Sequence, residues 1–159
     1  MVEVRILLRR TAVVVLLSLV ACIPDPRGDV GVGLSGDGSI TVALALCTGD
    51  SLTSVLIARV VGDVIGDGDD EFFWQISRTG GIALSSGTLT IGNIPTGFEQ
   101  QGEYVRPSDR MELAILVTTR DEEFVMDFMP AALDAGVILS EANGSVDVEE
   151  FGDLARQDC

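Results

Sequence analysis

The chain has no histidine and no lysine. Without an imidazole, a serine or cysteine nucleophile lacks its usual general base, and zinc loses a common ligand. Without a lysine there is no amine for Schiff-base chemistry. All ten basic residues are therefore arginines, set against 25 acids, for a net charge of −15. So acidic a chain repels phosphate backbones and anionic lipid heads, which excludes nucleic acid as a partner. Aromatic residues make up only 5% of the sequence, with one Trp and one Tyr, so the core must be largely aliphatic. The apolar stretch Thr11–Ala21 covers about eleven residues, where a membrane-spanning helix needs about 20. No Walker loop, dinucleotide fingerprint or zinc-ligand spacing is present, and no cofactor is implied. There are only three cysteines, an odd number.

The first 22 residues account for one of them. Arg5, Arg9 and Arg10 form a basic head, the apolar stretch follows, and Leu19-Val20-Ala21-Cys22 closes it. This order resembles a bacterial lipoprotein signal ending in a lipobox. The resemblance implies diacylglycerol on the Cys22 thiol and cleavage between Ala21 and Cys22. It implies a protein held on the cell membrane by lipid, facing the exterior or the periplasm. Acyl chains contribute about 0.8 kcal/mol per buried CH2, so two signals anchor where one binds marginally.

Residues 1–21 hold three Arg and one Glu, so the remainder carries seven Arg, 24 acids and a net charge of −17. With Cys22 taken by lipid, Cys47 and Cys159 are left to pair in an oxidising compartment. Residues 22–29, with Pro24, Pro26 and Gly28, read as the lipidated cysteine and a short tether. Residues 30–159 are long enough for one domain with a substantial core.

The pattern from residue 30 onward is alternation. Ile40, Val42, Leu44 and Leu46 share one face of a strand, with Thr41, Ala43 and Ala45 on the other. Phe72, Trp74 and Ile76 alternate, as do Met111, Leu113, Ile115 and Val117, and then Phe124, Met126 and Phe128. Asp37-Gly38 and Asn143-Gly144 are hairpin signals. Residues 95–110 hold two prolines, two glycines and several charges, and read as a long loop. A short helix is expected over residues 149–157. Eight or nine short strands with frequent turns predict an antiparallel β-sandwich of immunoglobulin-like architecture.

Several short motifs invite chemistry. Gly49-Asp50-Ser51-Leu52 is similar to the nucleophile block of the GDSL esterases, which use a histidine that this chain lacks. Asp63, Asp67 and Asp69 crowd a Gly/Asp loop with the oxygen ligands that calcium favours. Their spacing does not match an EF-hand, and a solvated acidic turn explains them as well; no metal site is assigned. Arg27-Gly28-Asp29 copies an integrin-binding tripeptide, but in the tether close to the membrane a receptor would reach it badly, and three residues recur by chance. Asn143-Gly144-Ser145 fits a glycosylation sequon but is better explained as a turn. The expectation is a non-catalytic binding or scaffolding protein of the cell envelope. Its partner would be the membrane, through the Cys22 lipid, and an envelope protein or small apolar ligand. The rival readings are a carrier holding an apolar ligand between the sheets, a calcium-dependent adhesion module and a carboxylate-based hydrolase.

Overall fold

The computed structural model describes residues 28–59, 71–140, 142–157 and 159. Within them lie ten strands: β1 Gly28–Leu34, β2 Ile40–Leu46, β3 Leu52–Arg59, β4 Glu71–Arg78, β5 Ser86–Thr90, β6 Phe98–Gln100, β7 Leu113–Thr119, β8 Glu123–Phe128, β9 Val137–Ser140 and β10 Gly144–Asp147. One helix, α1 Val148–Gln157, follows. The strands form two five-stranded sheets, ordered β10-β9-β1-β2-β5 and β6-β4-β3-β7-β8. Every strand pairing is antiparallel. The protein is an all-β sandwich.

Side-chain alternation produces this arrangement. Val30 and Val32 of β1, Val42 and Leu44 of β2, Val55 and Ile57 of β3, and Ile115 and Val117 of β7 all point into one apolar cluster. Trp74 lies within it at 2% exposure, and its indole Nε1 has no hydrogen-bond partner. The ring's large apolar area outweighs the cost of that orphaned donor.

A third layer covers the outside of the first sheet. Ala43 and Ala45 are buried together with Ile138, Phe151 and Ala155. Phe151 and Ala155 stand four apart, on one face of α1. The outward row of β2 is alanine because a helix rests on it. Gly31 of β1 belongs to the same seat: a Cβ there would lie 2.2 Å from Ile138 Cγ2 and 3.4 Å from the Phe151 ring. The disulfide Cys47–Cys159 ties the segment after α1 to the end of β2, with Cα atoms 5.4 Å apart and a sequence separation of 112.

The structure departs from the sequence reading in detail. β6 lies inside the segment expected to be loop; three residues long and flanked by Gly97 and Gly102, it shows too little alternation to be seen. β1 begins at Gly28, two residues inside the expected tether. At Asn143-Gly144 only the glycine has positive φ, at 68°, whereas a type I′ turn needs it at both central residues.

The strand registers define two poles. Gly28 opposes Leu46 at the base, while Leu34 opposes Ile40 at the opposite end. Leu52, Arg78, Thr119, Glu123 and Ser140 also stand toward the base, linked by Leu52 N–H to Leu84 O and Arg120 N–H to Ser51 O. The distal pole, called here the mouth, carries the Ser35–Ser39 turn and the loops before β7 and after β8.

Candidate functional site

Two of the sequence-derived sites, the lipobox residues Ala21 and Cys22 and the acids Asp63, Asp67 and Asp69, lie outside the described residues. Among the described residues no group of three or more Cys, Asp or Glu is placed to hold a metal ion. Cys47 and Cys159 are joined to each other.

The Asp50-Ser51 pair sits in the turn between β2 and β3, at the base. Asp50 is 5% exposed and its Oδ1 accepts from the backbone N–H of Ser51 at 2.7 Å and of Arg120 at 3.1 Å. The carboxylate therefore pins the β2–β3 turn to the β7–β8 turn. Its Oδ2 is buried without a partner. Ser51 is 8% exposed, and its Oγ accepts from Arg78 Nη1 at 3.3 Å. A guanidinium that donates to a hydroxyl cannot deprotonate it, so the Arg78 contact ties Ser51 to β4 and does not activate a nucleophile. Nearby, Asp121 hydrogen-bonds the Arg120 side chain, raising the arginine's already high pKa.

Asp29 belongs to β1 and is 3% exposed, so it is not a presented tripeptide residue. Its Oδ1 accepts from Val30 N–H at 2.8 Å. Its Oδ2 accepts from Ser140 Oγ and from Asn143 Nδ2, the latter at 2.8 Å. The carboxylate thus fastens the start of β1 to the β9–β10 turn. A buried carboxylate is tolerated where hydrogen bonds replace its hydration, and three donors do so here.

The mouth offers a different environment. A cavity of about 490 Å³ opens between the β1–β2 turn, the loop before β7 and the Pro130–Ala132 turn after β8. Leu34, Ile40, Ile91 and Leu133 supply apolar walls. Tyr104, Arg106 and Asp109 supply polar ones. None of those three side chains makes a hydrogen bond or ion pair among the described residues. Gly92 favours this placing of the tyrosine: its φ is +88°, and a Cβ there would crowd the ring at 3.1 Å. The loop is fixed on its other side by Val105 N–H bonding Phe73 O, and by Ala131 N–H bonding Asp109 O.

Sequence reasoning did not find this site. Its residues come from four separated segments, and Tyr104 to Asp109 fall within the expected loop. The available signal was the chain's single tyrosine standing two residues from an arginine and five from an aspartate, with Pro107 between those two. Apolar walls with a few unengaged polar groups are the usual make-up of a small-ligand site. Comparison with protein-family models, with curated proteins and with solved structures finds no match to this chain.

Proposed function

We propose that the protein is a lipid-anchored bacterial envelope protein that works by binding and not by catalysis. The lipobox-like Leu19-Val20-Ala21-Cys22 supports the anchor, and the mouth cavity with its unpaired polar side chains supports the binding role. The two are geometrically compatible. Gly28 is six residue steps from Cys22, and an extended chain covers at most about 3.5 Å per residue, so the anchor would lie within about 20 Å of the base. The base would then face the membrane and the mouth would face away from it.

The non-catalytic reading draws on the missing histidine and lysine, and on the roles of the two most buried carboxylates. Asp29 and Asp50 are occupied with backbone and side-chain donors that join turns. Lipid labelling of wild type and Cys22→Ala in a bacterial host, with membrane fractionation, tests the anchor. Label and membrane association in wild type, both lost in the variant, are expected. An unlabelled wild type refutes it.

A further inference from the structure

We propose that the mouth of the sandwich binds a saccharide of one or two rings, held between Arg106, Asp109 and Tyr104. This deepens the binding role proposed above and does not depend on the Cys22 lipid. Arg106 and Asp109 line one cavity, carry opposite charges, and pair neither with each other nor with any other described residue. Both are exposed to water at the cavity's rim, so a ligand that covers them has to replace that water on a donor fork and on an acceptor at once. Neighbouring sugar hydroxyls do both, since each hydroxyl donates and accepts. A planar guanidinium and a carboxylate are each able to engage two of them.

The competing ligand classes fit less well. An anion meets Asp109 and a chain of net charge −15. A cation meets Arg106. A wholly apolar molecule would cover two charged groups without replacing their water, which is costly. A sugar is neutral, and its C–H face suits the Tyr104 ring and the prolines Pro107 and Pro130 that share the cavity wall. The cavity, about 490 Å³, falls in the range of small-ligand sites and is roomier than a single free amino acid requires. It opens at the pole away from Gly28.

The test uses the full chain, purified in a detergent without a sugar headgroup. Saturation-transfer NMR is run with cellobiose, chitobiose and maltose, and with leucine and leucyl-leucine as zwitterionic competitors. Arg106→Ala and Asp109→Asn are compared with Arg110→Ala, an exposed arginine outside the cavity wall. Each removes or weakens a hydrogen bond to a charged group, so affinity is expected to fall about tenfold or more in the first two. The third should bind as wild type does. Thermal midpoints of all three should match wild type, which separates lost binding from lost folding. Transfer to none of the sugars, transfer to the zwitterions alone, or equal sugar binding in every variant overturns the proposal. Sugar binding that survives in Cys22→Ala while labelling is lost, or labelling without sugar binding, tells the two readings apart.

Discussion

Breaking the Cys47–Cys159 bond should cost a large share of the domain's stability. The bond closes a loop of 112 residues. The chain-entropy relation for a loop of that size gives about 5 kcal/mol at 25 °C, at the upper end of what disulfides contribute. Cys47 is buried at the end of β2, and Cys159 lies just beyond α1. The loss should therefore have two parts. The unfolded chain gains freedom, and the helix loses its covalent hold, keeping its packing of Phe151 and Ala155 on Ala43, Ala45 and Ile138. The double variant Cys47→Ala/Cys159→Ala should show a urea-unfolding free energy lower by about 3–5 kcal/mol. In a domain of this size 1 kcal/mol moves the thermal midpoint by about 4 °C, so a fall of about 12–20 °C is expected. Amide exchange in α1 should quicken more than in β3 and β7, because local opening follows the number of buried contacts. A loss below about 1 kcal/mol, or equal acceleration of exchange in α1 and in β3, would refute the reasoning.

Asp29→Ala should cost about 2–3 kcal/mol in the same urea assay, because it leaves Ser140, Asn143 and Val30 N–H without their acceptor in a buried place. A cost no larger than that of Asp134→Ala, at an exposed turn, would remove Asp29 from its fastening role. Asp37 should titrate at about 2, lowered first by the Ser35 hydroxyl and then by the Ser39 backbone N–H. A depressed carboxylate contributes stability above its unfolded pKa of about 3.9 and loses it as pH falls toward 2. An NMR titration of the Asp37 carboxyl carbon should give that low midpoint, and Ser35→Ala should raise it; an unshifted midpoint in wild type would contradict the turn geometry.

Alternation carried most of the fold into view. Where one face of a strand is buried, the period of two fixes which residues point inward, and Val42, Leu44, Ile115 and Val117 all do. The Cys47–Cys159 pair was legible by counting. The third layer was half legible: Ala43, Ala45 and Phe151 are visible in the sequence, but a row of small residues means a helix seat only once the helix is placed. Asp29 was misread because its partners, Ser140 and Asn143, stand 111 and 114 residues away. The mouth was hidden for the same reason. Tyr104, Arg106 and Asp109 follow no period, and the walls they face come from residues near 34–40, 91 and 130–133.

The position of β1 has a mechanical consequence. The first strand among the described residues is the central strand of its sheet, bonded to β2 along its whole length and to β9 over three pairs. A pull on Gly28 directed away from the mouth runs along the strand axis and loads both ladders in shear. Many hydrogen bonds must then yield together, whereas an edge strand peeled sideways gives them up one at a time. Resistance to such a pull is set by the unfolding barrier and not by the equilibrium stability. A protein pulled from that end would hold its shape under a force that strips a strand from the rim of either sheet.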